Sequence, residues 1–309
     1  MSLNIVGSTV AYLQNFGASD IDIAFQRLGK STDVPVFLIM GAGAQMISWP
    51  EGLCNELMSK GLHLIRFDNR DSGLSTHFSH CPLPDFNAAM AGDFSTVPYS
   101  LSEMAADTVA LMDALCYERV HIVGASMGGM IAQTIAIEHR SRVKSLTSIM
   151  SSTGAQDVGQ TDYSLLAKLG MPPMHDRQEY IKWRIRSLKA TGSPIYPLNE
   201  RHAEEIAGIA WDRDHDPTAI VRQAVAVLKS GDRTSRLRSL KIPSLVIHGD
   251  SDVMVNVSGG IATAAAIPNA KLQIIEGMGH SFPEQLFTRL ASLIVDHIFL
   301  AELQVKDYY

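Results

Sequence analysis

A chain of 309 residues, 46% hydrophobic and 19% charged, can bury a large core, which excludes a disordered chain or a fibrous repeat. With 26 basic against 32 acidic side chains, the net charge of −6 argues against a protein built to neutralise nucleic-acid phosphates. Cys54, Cys81 and Cys116, odd in number and with no Cys-x-x-Cys pair, exclude a disulfide framework and a zinc knuckle and suit a reducing cytosol.

No apolar run approaches the roughly 20 residues of a membrane helix. The first basic residue is Arg27, so the early sequence lacks the charged region of a secretory signal. A cytoplasmic protein with no membrane or nucleic-acid partner is expected.

Along the chain, short β-branched runs alternate with helical patterns, the mark of crossover units around a parallel sheet. Ser8 to Phe16 and Ile21 to Leu28 read as a pair of edge strands. Buried strands are expected at Val36 to Met40, His63 to Asp68, His121 to Gly124, Val143 to Met150, Ser244 to His248 and Lys271 to Ile275. Thr76 to Tyr99, rich in Pro, Gly, Asp and Ser, reads as a long loop of the kind that is usually functional or mobile. Leu101 to Leu115 is the clearest helix, opened by Ser100 with Glu103 three residues on, a capping-box pattern.

From Ala155 to about Arg238 the pattern is helical only, broken at Met171 to Pro173 and Gly192 to Pro194. This predicts a helical cap (155–238) inserted between strands six and seven of a core formed by 1–154 and 239–309. A final helix runs from Pro283 to about Leu300, with Leu286, Leu290, Ile294 and Ile298 on one stripe.

The chemistry concentrates where predicted strands end. Gly124-Ala-Ser126-Met-Gly128 follows a strand and opens an apolar helix, the context that makes Gly-x-Ser-x-Gly a nucleophile elbow. Only small neighbours fit such a turn, and the serine hydroxyl then projects at a helix N-terminus that favours a developing oxyanion. The blander alternative is a glycine-rich turn with a chance serine.

A serine needs a base, and the base needs an orienting acid. Of the eleven histidines, His280 stands out. It follows the last strand in Gly277-Met-Gly-His280, at the sheet edge where the elbow also ends. His121 and His248 lie within strands and read as core histidines. Asp252, in Gly249-Asp-Ser-Asp252 after the preceding strand, is the expected acid; Asp250 is the alternative, otherwise a loop-shaping carboxylate.

Met127 N–H comes with the elbow as one oxyanion donor. The second is expected from the Gly41-Ala-Gly-Ala44 loop, at Ala42 with Gly43 as the alternative. The charges of Asp68 to Ser75 are expected to build their loop through mutual hydrogen bonds. Met40, Met127, Met130, Met150, Met254 and Met278 fall at or beyond strand ends, consistent with a wide apolar pocket or equally with core filling. Trp49, Trp183 and Trp211 are packing anchors or pocket walls. Gly43, Met40, Trp49, Trp183, Trp211 and Met254 are thus the substrate-contact candidates. No metal or cofactor is called for.

These motifs in order, with Met40-Gly-Ala-Gly43 and Asp68 to Ser75, resemble the α/β-hydrolase superfamily from about residue 20 to residue 300. The likeness extends to capped bacterial esterases of the aclacinomycin methylesterase kind and to macrolide esterases, carried by Trp49-Pro50, the loop to Tyr99 and Lys182-Trp-Arg184. The resemblance implies a mostly parallel eight-stranded sheet flanked by helices. It also implies serine-ester hydrolysis of bulky natural-product esters or lactones, with macrolide antibiotics first.

Many relatives carry His-Gly before the oxyanion residue, where this chain has Met40-Gly41, so Ala42 rests on position alone. A C–C hydrolase or perhydrolase on the same residues is the second enzyme class; the former often shows Gly-Asn-Ser at the elbow, where residue 125 here is Ala. Epoxide and haloalkane hydrolysis need a carboxylate at the position of Ser126. A non-enzymatic ligand-binding protein is the third class.

Overall fold

A computed structural model describes residues 9–16 and 20–306. In chain order the elements are β1 (Ala11–Phe16), β2 (Ile21–Leu28), β3 (Val34–Ile39), α1 (Glu51–Ser59), β4 (Leu62–Phe67), α2 (Phe86–Met90), α3 (Leu101–Ala114), β5 (Val120–Ala125), α4 (Met127–Glu138) and β6 (Val143–Ile149). Five helices follow: α5 (Tyr163–Leu169), α6 (Arg177–Thr191), α7 (Glu200–Arg213), α8 (Ala219–Ser230) and α9 (Thr234–Leu237). The chain then closes with β7 (Ser244–Gly249), α10 (Ser258–Ala266), β8 (Lys271–Ile275) and α11 (Phe287–Lys306). Ser8, where the sequence starts its first strand, lies outside the described residues.

The eight strands form one sheet in the order β1-β2-β4-β3-β5-β6-β7-β8. β1–β2 and β2–β4 pair antiparallel, and every later pair is parallel. The expected edge hairpin and parallel core are both present. Two apolar layers sandwich the sheet, and alternate residues of one strand feed different layers, as pleating requires. On β3, Phe37 and Ile39 join α3 and α4, whereas Val36 and Leu38 join α1 and α11. The predicted stripe of Leu286, Leu290, Ile294 and Ile298 is buried as a unit in that second layer. Ser100 and Glu103 close the predicted capping box on α3.

Two expectations are refined. The loop from Thr76 to Tyr99 holds one short helix, α2, because Asp85 caps it by accepting from Ala88 N–H at 3.0 Å. Between β6 and β7 the regular elements are all helices, α5 to α9, the first beginning at Tyr163 after a loop, and the long helices bury little. α6 buries Ile185 and Ser187, and α7 buries Ala207 and Gly208. Among the described residues no helix is long and apolar enough to cross a membrane. The three cysteines are unpaired, and burial pushes the Cys54 thiol up to about 11.

Candidate active site

The turn between β5 and α4 has the strained geometry its sequence anticipates. Ser126 sits at φ 55° and ψ −124°, a conformation that L side chains rarely adopt. A Cβ at residue 124 would lie 2.1 Å from Gly128 O, and one at residue 128 would lie 2.1 Å from Ile39 O. Both glycines are therefore required by backbone contact. The Ser126 N–H donates to Ile149 O at 2.9 Å, which ties the elbow to β6.

Three loops at the carboxyl edge of the sheet meet at Ser126. His280 Nε2 lies 3.0 Å from Ser126 Oγ, and His280 Nδ1 lies 2.8 Å from Asp252 Oδ2. Asp252 Oδ1 accepts from Met254 N–H and Val255 N–H, each at 2.9 Å. Burial alone would raise the Asp252 pKa; the facing His280 and His248 and the Val255 N–H outweigh it and hold the carboxyl well below the usual range. Asp252 is buried, whereas Ser126 and His280 keep partial access to solvent. Asp250 instead accepts from Gly277 N–H at 2.7 Å, the loop-shaping role that was its alternative.

The Gly41–Ala44 loop lies across the elbow. A Cβ at Gly41 would come 2.9 Å from Ser126 Cβ, so this backbone presses directly on the serine. Gly43 N–H is already taken, donating to Gln223 Oε1 on α8 at 2.7 Å. Ala42 N–H has no acceptor among the described residues. Met127 N–H is the first amide of α4 and has no partner within its own helix.

The substrate-contact candidates separate. Met40, Met150 and Met278 are buried in the α1/α11 layer, and Met127 and Met130 in the α3/α4 layer. Core filling thus accounts for all of the strand-end methionines except the half-buried Met254. Trp49 is also core, fully buried and stacked on Phe282 at 5.2 Å. Trp183 and Trp211 both pack on Tyr180, and Trp211 stacks on His215 at 3.8 Å. Trp211 thereby joins α7 to α6, and Trp183 Nε1 joins α6 to α5 by donating to Leu169 O at 3.0 Å.

The Asp68 to Ser75 loop corrects an expectation. Its charged groups find partners mainly outside the loop, because burial of so many charges demands cations from neighbouring elements. Arg213 at the end of α7 donates to Asp68 Oδ2 at 2.5 Å. Arg222 of α8 grips Asp71 with two bonds of 2.9 and 2.7 Å and reaches Asp216 Oδ2 at 2.6 Å. Arg70 makes a two-pronged pair with Asp107 on α3. Asp71, His77 and Asp216 could offer a metal ion three ligand atoms within 4.8 Å of one another. The Arg222 guanidinium already bonds both carboxylates, so the cluster is built as an ion-pair network.

Sequence reasoning missed the residues through which the insertion reaches the site. Thr191 O accepts from His280 N–H at 2.8 Å, and Ser193 Oγ accepts from Gly279 N–H at 2.9 Å. Gln45 Nε2 donates to Ala210 O at 2.7 Å and to Asp214 O at 3.2 Å. His248 Nε2, 3.4 Å from Asp252 Oδ2 and 2.7 Å from Val255 O, is a second imidazole beside the acid. A polar pair inside the buried face of α8, Arg222-Gln223, was the available signal.

A family model described as the alpha/beta hydrolase fold matches residues 34–171. Rhodomycin D methylesterase DnrP of Streptomyces peucetius is 28% identical over 303 residues, covering 90% of this chain and 95% of its own. A putative carbamate hydrolase, RutD of a Caulobacter species (strain K31), is 26% identical over 80% of this chain and 84% of its own. A thermophilic esterase from Thermogutta terrifontis superposes with a TM-score of 0.71 at 19% identity, over 95% of this chain and 99% of its own, a likeness of fold.

Proposed function

The chain is an α/β-hydrolase by fold, and from that premise we propose that it is a serine carboxylic-ester hydrolase. The observation that carries the proposal is the unbroken chain of hydrogen bonds from Ser126 Oγ through His280 to Asp252. Ser126 Oγ attacks the ester carbonyl carbon while His280 Nε2 takes its proton. Asp252 accepts from Nδ1–H, fixes the tautomer and stabilises the imidazolium. Ala42 and Met127 N–H groups hold the oxyanion. Collapse breaks the bond to the alcohol, which leaves with the proton from His280, and water then releases the acyl group from Ser126 by the same steps. This chemistry uses neither metal nor cofactor.

For substrate we propose bulky natural-product esters or lactones. The support is the similarity to a protein named for demethylating the ester of rhodomycin D. A macrolactone differs only in that its alcohol stays tethered after cleavage.

The test has two parts. A fluorophosphonate probe is expected to label Ser126, with labelling and p-nitrophenyl butyrate hydrolysis both lost in Ser126→Ala. An adduct on another serine, or full activity in the variant, would remove the assignment. Mass spectrometry of macrolides and polycyclic methyl esters then distinguishes gain of one water from replacement of methyl by hydrogen. If neither product forms while p-nitrophenyl butyrate turns over rapidly, the chain is a small-ester hydrolase.

A further inference from the structure

We infer that Gln223, on a helix of the insertion, is a positioning residue for the oxyanion loop. It withdraws the Gly43 N–H from the site and so leaves Ala42 as the second donor. The inference rests on the ester-hydrolase reading and deepens it.

Gln223 is fully buried and every arm of its amide is used. Oε1 accepts from Gly43 N–H at 2.7 Å, while Nε2 donates to Arg70 O at 2.8 Å and Asp71 O at 3.3 Å. The amide can point only one way, because two carbonyls on one side require the NH₂ and the Gly43 N–H on the other requires the oxygen. The helix that carries it is itself fixed, one residue earlier, by the Arg222 pair with Asp71.

The loop is held from both sides. A Cβ at Gly43 (φ 67°) would lie 2.7 Å from Ile220 Cδ1, three residues before Gln223 on α8. At the other end Gly41 presses on Ser126. Ala42 is the residue between, so its amide is aimed by Gly41 against the nucleophile and by Gly43 against Gln223. An oxyanion donor works only at about 2.7–3.1 Å from the developing charge, so loosening one anchor weakens the bond where it matters most. Binding of the uncharged ester depends less on that distance. Loss of Gln223 therefore acts on kcat more than on KM.

The test uses the full-length enzyme with p-nitrophenyl butyrate. Gln223→Met keeps length and removes the hydrogen bonds. Its kcat is expected to fall about tenfold, less than the loss from deleting an oxyanion donor outright, with KM changed by less than about twofold. A trifluoromethyl ketone, which adds to the serine as a tetrahedral oxyanion, should lose affinity by the same factor, and Gly43 amide hydrogen exchange should accelerate.

Gln223→Glu supplies the rescue. Its neutral carboxyl can accept from Gly43 and donate to Arg70 O, and burial raises its pKa; once ionised it has no proton for Arg70 O and Asp71 O, and their repulsion pushes the side chain off Gly43. The variant should approach wild-type kcat at the acid end of the range and lose it on an alkaline limb absent from wild type. If Gln223→Met does not fold, this profile decides alone.

Unchanged Gly43 exchange, unchanged kcat, or a rise in KM alone in a folded Gln223→Met would overturn the inference and leave the ester-hydrolase reading intact. A wild-type protein that neither reacts with a fluorophosphonate nor cleaves any ester would remove that reading, and the inference with it.

Discussion

The sheet edge and the helical insertion are stabilised by different physics. At the edge, the elbow and its flanking strands are apolar and closely packed. α4 buries every residue from Met127 to Ala136, and the turn at Ser126 depends on glycines pressed against backbone. The insertion buries few apolar side chains on α6 and α7 and is fastened by charges instead, through Arg213 to Asp68 and Arg222 to Asp71. The proposed nucleophile, acid and base all lie at ends of sheet strands. The groups that steady the His280 loop and the Gly41–Ala44 loop, Thr191 O, Ser193 Oγ and the Gln223 amide, come from the insertion. Loss of a polar side chain from the Ser126–His280–Asp252 chain should therefore remove chemistry and spare the fold, whereas loss of the insertion's charged anchors should cost stability.

The largest separation is expected between the two carboxylates after β7. In Asp252→Asn one oxygen can still accept from Met254 and Val255 N–H, so the loop survives. The amide NH₂ then faces His280 Nδ1 and selects the wrong tautomer. A loss of about 10⁴ in kcat is expected, the size seen in the serine-protease precedent. Asp250→Asn keeps an acceptor for Gly277 N–H and should cost less than about tenfold. Steady-state kinetics on the two variants decides the matter; an inverted ranking would make Asp250 the functional acid.

On the insertion side the readout is stability. Arg222→Met strands the buried Asp71 carboxylate and should destabilise by about 3–5 kcal/mol in urea denaturation. Arg177→Met breaks an exposed pair with Asp212, 2.7 Å apart, where solvent screens the charges, and should leave the urea midpoint nearly unchanged. Equal losses would mean that the insertion is not fastened by its buried charges.

The edge was legible in the sequence because each of its devices is local. Gly124 and Gly128 flank Ser126 within one turn, and Ser100 meets Glu103 within one turn. The stripe from Leu286 to Ile298 follows the helical period. The insertion's anchors were not legible. Gln223 meets Gly43 across 180 residues, and Arg213 meets Asp68 across 145. No periodicity links such partners. The Asp68 to Ser75 charges looked self-sufficient for the same reason, since their cations lie on helices much later in the chain. The strand-end methionines were ambiguous for another reason: a position beyond a strand's last residue says nothing about which side of the backbone the side chain takes.

The remaining expected effect is on the pH dependence of stability, and it also divides the two regions. In the insertion contact, His77 Nε2 lies 2.7 Å from Asp214 and 3.1 Å from Gly73 O, while Nδ1 lies 3.6 Å from Asp216 and 3.9 Å from Asp71. Burial alone would lower its pKa. The Asp214 bond and charge, the Gly73 carbonyl and Asp71 outweigh burial and raise it from 6.5 to about 9, although Arg222 sits on Asp71 and Asp216. A raised pKa means the folded state holds a proton that the unfolded chain has released. This contribution is complete below pH 6.5 and is lost as pH rises through about 9.

In the sheet layers the sign reverses. Burial lowers His121 and His297 to about 4, against the pull of Glu302 on the first and of backbone carbonyls on the second. Their contribution is complete above pH 6.5 and is lost as pH falls towards 4. The melting temperature should thus peak near neutral pH and fall on both sides for separate reasons. His77→Gln should flatten the alkaline side and leave the acid side unchanged. If the alkaline fall persists in His77→Gln, the charged His77 contact does not help to hold the insertion to the core, and the fastening rests on the two arginines alone.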